Sequence, residues 1–529
     1  MRIHYFFFFC LLALFASCSQ VDIPFVDQLN NGELPTSITI VTPNEIKLAV
    51  GEIRKVEFVT LPEKDYPDSI FCLHSDKSSK ERGYEIRKIE NVKDSLGGTI
   101  PGRYIAYIAD KKTFSDYDDK VSIVVSQKYT PTYNAYSNPV RVCSSSNRVL
   151  PVVVIETPDW TEITSKTKYV ENTLMSIYNT DGRMIFDGLT NIKGRGNSTW
   201  VKPKKPYAIK FDKKQSLMSF PKDKSWVLLA NYLDHTFMRN DLAFFMGEKI
   251  SNLEWTPRYK FVDLTLNGQY KGIYQLGEKI KIADDRVNIG KDGILMEIDF
   301  RCLKESDARY FYVNHIECPV NIKDPDVEYN DDIFNYAKEF VSVVDSILFS
   351  KDFKNPENGW QKYLDMDSFV EWYIINEIAK NADSQFGTSC YMNLKRNGKL
   401  KMGPVWDFDL GFGNYENGKS SLIYNQTDGF YIKSVPWYNR LFEDPKFVSR
   451  VKERFAVYYS QKEFIMSYID DQAKSLADRA VYDNIKWGTN GSINASDEEI
   501  KQTYQEKVNK LKNWLSDRLE WLNIYINEL

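Results

Sequence analysis

Short alternating runs of apolar and polar residues recur between Thr36 and Val142, among them "SITIV", "IKLAV", "VEFVT", "YIAYIA" and "VSIVVS". A period of two places side chains alternately on the two faces of a strand, so each run predicts a strand with one face buried. Turn-rich pieces such as "LPEKDYPDS" and "SLGGTIPG" separate the runs. That spacing predicts an antiparallel sandwich, close to an immunoglobulin-like module, over residues 36–147. Its acids and lysines read as a solvated face without catalytic chemistry.

A different pattern opens at "LPVVVIETPDW", where the continuous apolar run Val152 to Ile155 predicts a buried strand. Further strands are expected at "RMIFDGLTNIKGRG", "KPYAIKF", "KSWVLLAN", "RYKFVDLTLNG" and "YKGIYQLGEKI". Helical spacing then appears around His235 to Ile250, Asp331 to Phe349 and Asp367 to Lys380. In the last of these Phe369, Val370, Tyr373, Ile374 and Ile378 fall on one face. Beyond Phe442 the pattern is mostly helical, and the stripe in "VNKLKNWLSDRLEWLNIYI" reads as core. Residues 148–529 are therefore expected to form an α+β domain, strand-rich then helix-rich, with a cleft at the junction and a helical C-terminal region.

The first residues, "MRIHYFFFFCLLALFASC", pair Arg2 with an apolar run from Tyr5 to Ala16. The run falls short of the roughly 20 apolar residues a spanning helix needs. It reads as a secretory signal over residues 1–17. Phe15-Ala16-Ser17-Cys18 resembles a bacterial lipobox, which would make Cys18 the lipidated first residue, anchored to a membrane of the cell envelope. Residues 18–35 then form a polar tether.

With 529 residues the chain exceeds one ordinary core and is multidomain. Charged residues make up 27% and the formal net charge is only −4, which leaves no electrostatic footprint for nucleic acid. None of the cysteines forms a CxxC pair, which argues against zinc. Cys302 with Cys318 and Cys72 with Cys143 are candidate bridges in an oxidising envelope, with the connectivity open. The histidines His4, His74, His235 and His315 are too scattered for a histidine metal centre or triad.

The chemistry concentrates in a few stretches. In "KMGPVWDFDLGFGNYENG", Asp407 and Asp409 stand two residues apart. On an extended segment they point the same way and can give oxygens to one hard cation such as Mg²⁺. The competing reading is a turn whose acids cap backbone amides. Upstream, Asn381-Ala382-Asp383 is followed by the hairpin pattern "CYMNLKRNGKLKMG", with Asn397-Gly398 at its tip. An acid, a hairpin and a metal-binding acid are how phosphoryl-transfer sites order a base and a metal ligand. The alternative leaves Asp383 as a surface residue at a helix end. "NIKGRGNSTWVKPKKPYAIKF" gathers Lys193, Arg195, Lys204, Lys205 and Lys210 around two glycines. It suits phosphate binding, although it is neither a Walker motif nor GxGxxG, and a basic surface hairpin fits the spacing equally.

Taken together and in order, "KGRGNSTW", "KKPYAIKF", "LLANYLDHTFMRN", "YKGIYQLGEKI", "DRVNI", "KNAD" and "GPVWDFDLGFGN" resemble the spore-coat CotH kinase family over about residues 150 to 460. The resemblance implies an atypical protein-kinase-like core that uses ATP with Mg²⁺ or Mn²⁺ and phosphorylates serine on a secreted or surface protein. It also implies roles: Asp383 as catalytic acid, Asp407 and Asp409 as metal ligands, and Arg195 and Lys210 as phosphate contacts. Arg239 of "MRN" and Glu278 of "YQLGEKI" match motif positions on the cofactor side. One departure stands out. Family members often place Asn after the catalytic acid near the next strand, where this chain has Ser389-Cys390 and only later Asn393. The expected function is thus a lipid-anchored envelope kinase. A surface adhesion or scaffold protein on the same fold, or a metal-dependent glycan-modifying enzyme, are the competing readings.

Overall fold

The computed structural model describes residues 34–42, 44–112, 116–126, 133–144, 149–415, 421–492 and 494–529. The signal, Cys18 and nearly all of the tether lie outside the described residues. Two compact units emerge. One comprises Met1–Glu156 with Ser176–Ile185 and Leu264–Tyr270, and the other Thr157–Met175, Phe186–Asp263 and Lys271–Leu529.

In the first unit the alternating runs become two sheets. One has the order Ser37–Thr42, Ile53–Leu61, Thr99–Asp110, Tyr84–Lys93. The other runs Glu45–Leu48, Val140–Ser144, Asp118–Ser126, Phe71–His74, with Tyr133–Tyr136 also paired to Asp118–Ser126. Every second residue points inward, so Val56, Phe58, Tyr104, Ala106 and Ile108 of one sheet share a core with Phe71, Leu73, Val121, Ile123 and Val125 of the other. The result is a sandwich. Two backbone carbonyls bind a hairpin tip to it: Val50 O accepts from Thr265 Oγ1 at 2.8 Å, and Gly268 O accepts from the Ile53 amide at 2.7 Å. Cys72, Cys143, Cys302, Cys318 and Cys390 are all free thiols, so neither candidate bridge forms. For Cys72 and Cys143 the register gives the reason. They face Val124 and Asp118, near opposite ends of the strand between them, far beyond the roughly 7 Å that a disulfide spans between Cα atoms.

Met184–Gly194, Tyr207–Gln215, Asp223–Leu229 and Gln269–Glu278, which fall mostly in the second unit, pair antiparallel in that order. One face of this run carries the buried Ile192, Ile209, Trp226 and Glu278. The register aligns Lys193, Ala208, Val227 and Gly277 across the other face. A second sheet has the order Arg309–Val313, Ile316–Asp324, Ile294–Ile298, Cys390–Leu394, Leu400–Met402. Its last two strands are the expected hairpin, with Asn397 at φ 62° in the turn.

The expected helices appear as Arg239–Lys249, Asp332–Leu348 and Met366–Ala379, followed by Pro445–Ser460, Lys462–Trp487 and Asp497–Asn527. Met366–Ala379 differs from expectation. Its burial is not confined to one face: every residue from Ser368 to Ala379 is buried. Other helices and the strand Leu400–Met402 surround it, so even its acids need partners inside the protein. Glu371 pairs with Arg454, and Glu377 with Arg518 of the C-terminal helix. Arg518 also donates to the carbonyls of Thr427, Gly429 and Glu377. No helix among the described residues is long and apolar enough to cross a membrane.

Candidate active site

Helix Met366–Ala379 ends where Lys380 turns left-handed at φ 45°. The chain then folds into the short turn Ala382–Ser384, whose first amide is capped by Asn381: the Asp383 N–H donates to Asn381 Oδ1 at 3.4 Å. Tyr431 braces the turn, its hydroxyl donating to Ala382 O at 2.9 Å. Asp383 is thereby held at the mouth of a fully buried helix, its side chain 17% exposed.

Asp407 and Asp409 do not sit on an extended strand. The strand ends at Met402, and Asp407 takes φ 63°, a left-handed conformation that short polar side chains tolerate. Two asparagines fix this geometry. Asn381 Nδ2 donates to Asp407 O at 3.1 Å, and the Phe408 amide donates to Asn240 Oδ1 at 2.7 Å. Loop shape, rather than strand alternation, therefore sets the direction of the two acids. Ser389 Oγ donates to Asp407 Oδ2 at 3.2 Å. Ser389 thus reaches the carboxylate, while Asn393 turns away and donates to Gly403 O at 3.1 Å.

The three acids share one electrostatic neighbourhood. Burial raises the Asp383 pKa to about 7, with Asp407 and Asp299 adding to the rise and Arg301 opposing it. Burial, then Asp407, Asp383 and Asp234, push Asp409 well above the ordinary carboxyl range. Arg301 is the cation that opposes both shifts, its Nη2 standing 3.6 Å from Asp383 Oδ2. Asp409 is buried. Hard carboxylate oxygens, buried and short of positive charge, fit Mg²⁺ or Mn²⁺. No group of three or more His, Cys, Asp or Glu among the described residues forms a ready-made metal cage.

The other charged candidates lie on a cationic sheet surface. Arg195 leaves the strand Met184–Gly194 through Gly196, whose φ of +83° and 2.2 Å clearance between a would-be Cβ and Thr199 Oγ1 demand glycine. Its guanidinium lies 5.4 Å from the ring centroid of Trp406, the residue before Asp407. Trp406 stacks with Phe244 at 5.9 Å, which fixes the ring. Lys210 is exposed on the Lys193 face and lies opposite Ser225. Lys279 follows Glu278, which faces inward opposite Trp226, so by alternation Lys279 falls on the other side of Ser225. The cations repel one another. Burial followed by Arg195 and Lys193 lowers the Lys279 pKa, and burial followed by Lys210 lowers that of Lys193.

The remaining sequence candidates lie behind this surface. Glu278 is fully buried with both oxygens held by Arg258, at 2.9 Å from Nε and 2.7 Å from Nη2. Arg239 is buried against Asp234 and donates to the carbonyls of Gly411 at 3.2 Å and Phe412 at 3.5 Å, clamping the loop that follows the acids. Both position the site from within. The structure thus brings Asp383, Asp407 and Asp409 together, with Arg195 over the neighbouring Trp406 ring and Lys210 exposed on the sheet. It adds Arg301, Asp299, Ser389 and Lys279, which sequence reasoning missed. Only Lys279 had a signal: its place beside an inward-facing Glu278 fixes its outward direction.

Fold and site together define a mixed α/β protein in which a loop of under-compensated carboxylates meets a lysine- and arginine-bearing sheet. Residues 192–522 match the family model described as CotH kinase protein, and the chain belongs to that family. No curated protein matches it.

Proposed function

We propose that this protein transfers the γ-phosphoryl group of ATP to a hydroxyl, a serine on a secreted or surface protein, with a kinase-like pairing of its strand-rich and helix-rich parts. One observation carries the reading: a strand bearing cations meets the loop bearing the acids where Arg195 lies over Trp406, the residue before Asp407, while burial and crowding with its neighbours raise Asp409 well above the ordinary carboxyl range. A nucleotide with its cation has the complementary charges, phosphates for the lysines and a metal for the acids. Asp407 and Asp409 are the residues that would hold Mg²⁺ or Mn²⁺, which supplies charge neutralisation on the phosphates when bound. Arg195, Lys193 and the lysines flanking Ser225 bind and orient the phosphates. Asp383 takes the acceptor proton. The acceptor oxygen forms the new bond to the γ-phosphorus while the bond from that phosphorus to the β–γ bridging oxygen breaks, and ADP leaves. The N-terminal leader, with its lipid anchor at Cys18, would hold the chain in the cell envelope near such acceptors.

Titrating a fluorescent ATP analogue with and without Mg²⁺, and following label from ATP into a mixture of serine peptides, tests the reading. Metal-dependent binding and labelling are expected. If neither occurs, the kinase reading gives way to an adhesion or scaffold role.

A further inference from the structure

Asp383 Oδ2 has a close cation, and that cation belongs to a turn with no part in any motif of the sequence. The turn Phe300–Lys304 begins at Asp299, whose side chain accepts from the Arg301 amide at 2.9 Å. It is bound to the segment after Asp383 at two further points. Thr388 Oγ1 donates to Asp299 Oδ1 at 2.6 Å, and the Phe300 amide donates to Gly387 O at 3.0 Å. These bonds fix the backbone of the turn that carries Arg301. Its Nη2 stands 3.6 Å from Asp383 Oδ2, with both side chains partly open at 23% and 17% exposure. The pair is thus open to an approaching molecule, unlike Arg518–Glu377 at 0% and 1%.

Resting on the phosphoryl-transfer reading, we propose that Arg301 is a positioning residue for the reaction. It holds one oxygen of Asp383, so that the other faces the acceptor hydroxyl as its proton acceptor. The turn that carries it is secured by Asp299 and Thr388 so that the guanidinium stays fixed when an acceptor arrives. A carboxylate free to rotate offers the acceptor either oxygen in many orientations, and loss of alignment in such a step lowers the rate by about 100-fold. Because Arg301 acts on the base and not on the nucleotide, its loss shows in turnover and leaves nucleotide affinity alone.

The full chain carrying Arg301→Ala is assayed for label transfer from ATP to the serine-peptide mixture, and for Mg²⁺-dependent binding of the fluorescent ATP analogue. Turnover is expected to fall about 100-fold, with the analogue's Kd unchanged. Millimolar guanidinium ion should restore part of the rate in Arg301→Ala and none in Asp383→Asn. If Arg301→Ala does not fold, Arg301→Lys carries the test: a shorter point charge lowers turnover while Kd holds. An unchanged rate, weakened analogue binding, or a loss in a folded Arg301→Ala that guanidinium leaves untouched overturns the proposal. A wild-type chain that binds the analogue with metal and labels no peptide instead defeats the phosphoryl-transfer reading, and the role of Arg301 falls with it.

Discussion

Two sets of acids, one on the helix Met366–Ala379 and one on the turns beyond it, are treated in opposite ways. Near the turn Ala382–Ser384, Glu377 accepts from the amides of Tyr431, Ile432 and Lys433 and pairs with Arg518, while Glu371 pairs with Arg454 and Tyr458. Each charge there has a cation and hydrogen bonds, as burial requires. In the pocket above, Asp383, Asp407 and Asp409 crowd together with Arg301 as the opposing cation. Full compensation makes scaffold, and withheld compensation makes a place for something else to bind. The same contrast separates Lys204, sealed against Asp483, from the exposed Lys210.

The strongest way to break this comparison is in the pocket. Asp383→Asn keeps shape and removes the base, so transfer should fall by about 10²–10⁴-fold while Mg²⁺-dependent binding of the ATP analogue persists. Asp407→Asn should abolish the metal dependence of that binding. Titrations of both variants beside wild type separate the two roles, and equal behaviour of the two would contradict the assignment.

On the scaffold side, Arg518→Leu leaves Glu377 buried without its cation. A cost of about 3–5 kcal/mol in unfolding free energy is expected, read by urea denaturation, against little change for an exposed control such as Lys510→Ala.

The pocket should also show itself in the pH dependence of stability without metal. Asp383 titrates at about 7 in the folded chain against an ordinary value of 3.8. Between those values the folded state keeps a proton that the unfolded state has lost. Its contribution therefore falls as pH rises from about 4 to 7 and is flat above, by a few kcal/mol at most. Asp383→Asn should lessen that slope without abolishing it, because burial raises Asp409, Asp241 and Glu297 in the same direction, and Mg²⁺ should stabilise wild type most at pH 8. Denaturation at pH 5 and pH 8, with and without Mg²⁺, measures both.

The smallest effect expected is on the cationic face. Lys279→Gln should weaken nucleotide binding by about tenfold, in line with the loss of one charge-assisted contact, and the deficit should shrink in high salt. Lys205→Gln, whose ammonium is bound to Trp200 O, should change affinity much less.

Much of this architecture was legible along the chain. The sandwich could be read from period-two alternation, because a sheet with one wet face repeats that signal at every strand. The acids were legible from their spacing beside Trp406, although their direction was not: the left-handed backbone at Asp407 is imposed by Asn240 and Asn381 from elsewhere in the chain. Met366–Ala379 carried a one-sided apolar stripe yet is buried all round, since its acids are neutralised by arginines that lie far along the sequence. For the same reason Glu278 and Arg239 could not be told from ligand contacts until Arg258 and Asp234 were seen against them. Arg301 had no local signal at all. Its proximity to Asp383 arises from hydrogen bonds between two loops, which no periodicity encodes.

The Arg518–Glu377 contact has a consequence in time. A chain emerges with its N-terminal end first, so the helix bearing Glu377 appears well before the helix Asp497–Asn527 that bears its cation. Until that last helix docks, the floor beneath this part of the chain carries a charge with nothing to neutralise it, and the carbonyls of Thr427 and Gly429 have no guanidinium to gather them. Packing beneath the turn Ala382–Ser384 is therefore completed only when the last helix is in place.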